Sequence, residues 1–156
     1  MTDSSSVCPL CAAAEAPALW RDARLRVIAV DEADYPGYVR VIWHAHAAEM
    51  TDLSEADRLH VMQVVLEVEA VMRDHLQPDK VNLAALGNMV PHLHWHIIPR
   101  RRGDRHFPDA IWAAPRVAPG EESLAFREAL QDAAQRVPAF HQRLQERLSL
   151  RYPAVG

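Results

Sequence analysis

Glycine is scarce in this 156-residue chain: five residues, each isolated, at Gly37, Gly87, Gly103, Gly120 and Gly156. Neither GxGxxG nor a Walker A loop can be written from them, which excludes the two common glycine-rich phosphate cradles. Positive charge is not in excess either. Lys and Arg number 17 against 21 Asp and Glu, a net charge of -4 with pI ≈ 6.1. A general nucleic-acid binder that works by neutralising many phosphates is therefore excluded. No apolar run approaches the roughly 18 residues of a membrane span. Met1-Thr-Asp-Ser-Ser-Ser6 has neither a basic n-region nor an apolar h-region. A cytoplasmic protein with no membrane partner is expected, and there the two cysteines, Cys8 and Cys11, read as free or metal-bound rather than as a disulfide.

What the chain does have is histidine. There are nine, and five fall in two tight clusters, His44 with His46 and His92 with His94 and His96. With 49% hydrophobic and 24% charged residues the chain is an ordinary globular sequence, long enough for one domain with a real core. Residues 1–18 read as an irregular lead-in. Residues 24–30 alternate into a half-buried strand, Asp34-Tyr-Pro-Gly37 is turn chemistry, and residues 38–43 supply a second strand, so the two form a hairpin. Ser54-Glu-Ala-Asp57 caps a helix on which Val61, Val65, Val68, Met72 and Leu76 recur at helical spacing until Pro78 stops it. Residues 81–86 and 92–98 are third and fourth strands. In the last, His92, His94 and His96 alternate with Leu93, Trp95 and Ile97 and share one face. Residues 99–120 read as a long ordered loop, 121–137 as a helix ended by Pro138, and 139–150 as a second helical piece. Strands around a helix with no βαβ rhythm predict an α+β fold with an antiparallel sheet. Residues 1–156 are expected to form a single domain, motif-bearing over about 8–112, with the C-terminal helices at 121–150.

A strand sets alternate side chains about 6.5–7 Å apart on one face. Three imidazoles in a row can present a nucleophile, a proton donor and an orienting group to one substrate. The same three could instead ligate the zinc of a hydrolase. Pro91-His-Leu-His-Trp-His-Ile-Ile98 resembles the histidine triad, His-φ-His-φ-His-φ-φ with φ apolar, that defines the HIT superfamily of nucleotide hydrolases and transferases. Gly37-Tyr-Val-Arg-Val-Ile-Trp-His-Ala-His46 is similar to that family's Gly-His-x-Leu-Val-Ile-Pro-Lys-x-His segment. The resemblance runs over about residues 8–112 and implies a HIT-like fold, usually a homodimer, acting on a nucleotide or dinucleotide. It implies that His94 attacks the α-phosphorus of a phosphoanhydride or phosphoramide, giving a nucleotidyl-histidine that water or another phosphate resolves. His96 matches the histidine that contacts the phosphate and helps the leaving group depart; if protonated it would also offset negative charge. Asn82 and Asn88 stand where the family places amide donors to phosphate oxygens, and Asp31 where it often holds the ribose hydroxyls. Tyr38 replaces a usual His, and Met89 a small hydroxyl residue. Both departures fall in the phosphate pocket, which leaves open a nucleotidyltransferase of the same chemistry or a low-turnover nucleotide-sensing module.

Cys8-Pro-Leu-Cys11 has the two-residue gap that lets both thiolates bind one tetrahedral ion, with a redox pair or two unrelated thiols as rivals. In some HIT proteins and the related galactose-1-phosphate uridylyltransferases such a pair is joined by two histidines at positions that match His46 and His92. The resemblance thus implies a structural zinc on Cys8, Cys11, His46 and His92. His44 reads as exposed or a substitute ligand. The Arg100-Arg-Arg102 run reads as a solvated loop and Trp95 as core. Trp43 and Trp112 are candidates to flank a nucleobase or line an interface, and His60, His75, His106 and His141 are read as surface residues.

Overall fold

The computed structural model describes residues 8–154. Its sheet has five antiparallel strands in the order β1-β2-β3-β5-β4: β1 (Trp20–Arg21), β2 (Leu25–Ala29), β3 (Val39–Trp43), β4 (Lys80–Ala84) and β5 (His94–Arg100). The β2–β3 pair is the expected hairpin, and Gly37 in its loop has φ +90°, a region open to glycine at no steric cost. A Cβ there would lie 2.2 Å from Leu76 Cδ1, so the loop also closes on the helix because residue 37 has no side chain.

Strand alternation splits the sheet into two chemically different faces. Leu25 and Val27, Val39, Val41 and Trp43, Val81, and Ile97 are buried together with residues of two helices, α2 (Glu55–Leu76) and α3 (Leu124–Arg151). The register puts Arg26 and Ile28, Arg40 and Ile42, Asn82 and Ala84, and His94, His96, Ile98 and Arg100 on the other face. Tyr35, Tyr38 and Ile98, with Val30 and Ile111, form a small second apolar cluster there, so the 101–123 loop covers one end of that face.

Helix α2 begins where its cap predicts: Ser54 Oγ accepts from Asp57 N at 3.2 Å. It ends at Gln77, which takes a left-handed φ of 47°, just before Pro78. Two short elements were not expected, α1 (Pro9–Ala12) and β1. The expected break at Pro138 is also absent, because α3 runs unbroken through it. An internal proline costs about 3 kcal/mol or more. Here its ring is exposed, while Ala133, Phe140, Leu144 and Leu148 continue one buried stripe across it. Each fully buried Leu or Phe is worth roughly 1.5–3 kcal/mol, enough in sum to hold the helix together. Among the described residues no helix is long and apolar enough to cross a membrane.

Candidate active site and metal centre

The fourth predicted strand starts two residues late. β5 begins at His94, and His92 precedes it, with Leu93 N bonded to Ala47 O at 2.7 Å and Trp43 N to Leu93 O at 3.1 Å. The expectation that three histidines share one face is thereby corrected: His94 and His96 do, their ring centres 4.8 Å apart, while His92 is fully buried in a separate cluster. The chain must turn at this point to bring the His92 ring to the two cysteines.

Hydrogen bonds to atoms that can only accept settle two tautomers. His94 donates from Nδ1 to its neighbour's carbonyl, His92 O, at 2.6 Å, so its Nε2 carries the lone pair. His92 donates from Nε2 to Trp43 O at 2.6 Å, so its lone pair is on Nδ1. The His96 ring is held by a relay: Arg40 Nε donates to the Tyr38 hydroxyl oxygen at 3.4 Å, and that oxygen lies 2.5 Å from His96 Nδ1. Tyr38 thus replaces the family's histidine with a group that orients His96. Burial, then the nearby His94 and Arg40, push the His96 pKa down to about 4. At neutral pH the ring therefore offers a hydrogen-bond donor rather than a positive charge.

On the far side of His92, Cys8 Sγ and Cys11 Sγ both lie 3.4 Å from its Nδ1, and Cys11 Sγ lies 3.4 Å from His46 Nδ1. One ligand atom from each of the four lies within 4.8 Å of the others. A tetrahedral ion bound at about 2.3 Å to sulfur and 2.0–2.1 Å to nitrogen needs ligand separations of roughly 3.3–3.8 Å, so this donor set can hold one. Burial works to raise the Cys8 thiol pKa, but backbone and side-chain hydrogen bonds from Cys11 and Leu10 bring it below its ordinary value, as a metal ligand requires. Burial likewise lowers the His92 pKa and keeps its lone pair available. His44 is no substitute ligand: it is half-buried, facing Arg26 at 3.3 Å and the Asp22 carbonyl at 3.0 Å. Arg26, 1% exposed, ties this knuckle to the sheet through Leu10 O at 2.8 Å.

The remaining candidates are distributed around the same face. Asn82 lies on β4 opposite Ile98, its Oδ1 held by Arg100 at 2.8 Å, so its amide N–H groups are left to donate elsewhere. Asp31 and Asn88 are exposed, on the loop after β2 and the loop before His92. A cavity of about 440 Å³ beside β4 is lined by Glu69, Lys80, Asn82, Ala84, Ala110 and Trp112. The Trp112 ring stands edge-on to His96 with centres 4.9 Å apart. Trp43, by contrast, is core and can flank no base. Arg100 is not solvated: it is 2% exposed and paired with Asp104 at 2.7 Å. Its even parity with His94 and His96 was the available signal, hidden by the neighbouring charges. His60 is likewise buried, 2.6 Å from Asp22, and His106 bonds Tyr35.

Residues 13–103 match the HIT domain. The chain belongs to this family. The family is one of nucleotide-processing proteins, and the five-stranded sheet with its long helices is a HIT-like α+β fold. A histidine triad protein of Bradyrhizobium japonicum is 27% identical with TM-score 0.58, over 78% of this chain and 90% of that one. A zinc-bound histidine triad family protein of Mycobacterium smegmatis shares the fold at 23% identity and TM-score 0.58, over 92% and 99%. An AP-4-A phosphorylase of Mycobacterium tuberculosis is 27% identical over 78 residues, 46% of this HIT chain. The chain spans about 40% of the length of the curated relatives it matches.

Proposed function

We propose that this HIT protein cleaves a nucleotide phosphoanhydride of the dinucleoside polyphosphate type through a nucleotidyl-His94 intermediate. The observation that carries this is the fixed tautomer of His94, whose Nε2 carries the lone pair, with the His96 ring 4.8 Å away on the sheet face opposite the core. The lone pair attacks the α-phosphorus and the P–O bond to the leaving phosphate breaks. The electron pair goes to the leaving oxygen, whose charge His96 stabilises from Nε2. Water or a phosphate oxygen then attacks the same phosphorus, the P–N bond breaks, and its electrons return to His94.

The hydrolase and nucleotidyltransferase readings differ only in the acceptor of the second half. The relative named AP-4-A phosphorylase supports a phosphate acceptor. In the same reading Asn82 and Asn88 donate to phosphate oxygens, and Asp31 takes the ribose hydroxyls. The Asn82 amide and the Asp31 carboxylate have no other hydrogen-bond or ion-pair partner among the described residues to compete with that role. Cys8, Cys11, His46 and His92 would hold a structural zinc, which would fix α1 and His92. Because the His92 carbonyl orients His94, those ligands also brace the nucleophile. The unpaired edge of β4 and the exposed Leu59 and Leu66 on α2 support a homodimer.

The test is to incubate the protein with a dinucleoside tetraphosphate labelled at the α-phosphate and quench without acid. An acid-labile adduct should form in the wild type and be absent in His94→Ala. Normal nucleotide binding with neither adduct nor product would instead establish the sensing module.

A further inference from the structure

One cation on the functional face is only partly used by the contacts above. Arg40 sits in the middle of β3, directly opposite His96 on β5 and Ile28 on β2. It is half-buried, its guanidinium carbon 5.6 Å from the centre of the Tyr38 ring and its Nε spent on the Tyr38 hydroxyl. Among the described residues its two terminal nitrogens have no hydrogen-bond partner, and no carboxylate lies within ion-pair reach. The other arginines of this face are committed, Arg26 to Leu10 O and His44, Arg100 to Asp104 and Asn82. In the segment pattern quoted above this position is an apolar leucine, so the charge departs from that pattern.

A half-buried guanidinium with no acceptor loses hydration without compensation. Its free edge is a planar two-donor fork, which matches two oxygens of a phosphate. Tyr38 fixes the fork from one side, and the same hydroxyl contacts His96, so the free edge is held next to the reacting centre. We propose that Arg40 holds a second phosphate group, beside the α-phosphate that His94 attacks. The inference rests on the reading of His94 as nucleophile. The group could be the neighbouring phosphate of the substrate's leaving chain or a free inorganic phosphate that accepts the nucleotidyl group.

The experiment measures adduct formation and adduct discharge in the wild type, Arg40→Gln and Arg40→Lys. The probes are a dinucleoside tetraphosphate, an adenosine phosphoramidate (which has no second phosphate) and inorganic phosphate. If Arg40 holds the leaving chain, Arg40→Gln slows adduct formation from the tetraphosphate roughly 10- to 100-fold more than from the phosphoramidate, which feels only the lost contact to Tyr38. If it holds the acceptor, formation from the two substrates keeps its wild-type ratio and discharge needs roughly 10- to 100-fold more inorganic phosphate. In either case Arg40→Lys recovers part of the loss. Equal slowing of both substrates with discharge unchanged, or no change in any step, overturns the proposal. Should Arg40→Gln fail to fold by thermal melt, Arg40→Met, which keeps the stem against Tyr38, takes its place. Should the wild type form no adduct at all, the nucleophile reading fails by itself. Phosphate titrated into wild type and Arg40→Gln then decides the Arg40 site, with equal affinity overturning it.

Discussion

Replacing Asp104 by asparagine swaps one charge in a buried ion pair for a neutral group of the same shape. Arg100 reaches Asp104 through Nε at 2.7 Å and a second nitrogen at 2.9 Å, and both side chains are 2% exposed. The carboxylate also accepts from the backbone N–H groups of Arg101, His106 and Phe107. An asparagine keeps one oxygen but turns an amide N–H toward the guanidinium N–H groups, leaving the Arg100 charge buried with only neutral acceptors, that oxygen and Asn82 Oδ1. Breaking one half of such a pair costs about 3–5 kcal/mol. At roughly 2–4 °C per kcal/mol for a chain of this size, the melting temperature should fall by roughly 6–20 °C, read by circular dichroism at pH 7. A pH series adds an independent check. Burial works to raise the Asp104 pKa, but the Arg100 hydrogen bond, the His106 N–H and the Arg100 charge outweigh it and hold it below the ordinary 3.8. A carboxylate lowered in the folded state contributes stability above its unfolded pKa and loses it as pH falls through the folded value. The gap between wild type and Asp104→Asn should therefore be full at pH 6 and close below about pH 4. A difference under about 1 kcal/mol at pH 7 would refute the reasoning, showing that the three backbone donors, not the ion pair, hold the 101–123 loop against the sheet.

Three further outcomes follow from the same structure. Cys8→Ser should lose the metal found with the wild type by elemental analysis; retained metal would point to a site elsewhere. Pro138→Ala should raise stability in urea unfolding by about 1–3 kcal/mol, because it restores the missing N–H within a helix that already runs straight through; a loss would mean that the proline ring itself is needed. His96 is held neutral with a folded pKa of about 4 against 6.5, so below pH 6.5 the unfolded chain takes up a proton that the native state does not. Relative to His96→Gln, the wild type should therefore lose about 3 kcal/mol between pH 7.5 and 4, at roughly 1.4 kcal/mol per unit, and a flat difference would contradict the buried neutral ring.

Most of the architecture was legible because it is carried by local period. The hairpin, the Ser54 cap, the α2 stripe and the alternation from His94 to Ile98 each depend on residues a few positions apart. The failures have a common cause. Pro138 is a local helix breaker overruled by a buried stripe, and Arg100 reads as solvated because its neighbours are charged while its own side chain is covered by Asp104 of the following loop. His60 looks like one more scattered histidine until the fold brings Asp22 to 2.6 Å.

By itself the sequence determined the family, the sheet that carries the triad and the residue types of both sites, since motif and periodicity are properties of covalent spacing. It could not determine how the histidines divide between them. His92 leaves the strand face for a site where Cys8, 84 positions away, and Cys11 converge on its Nδ1, while Tyr38 reaches across 58 positions to hold the His96 ring. Whether an imidazole is a ligand, a nucleophile or a donor depends on which atom meets each ring nitrogen, and those partners are brought together only by the packed sheet.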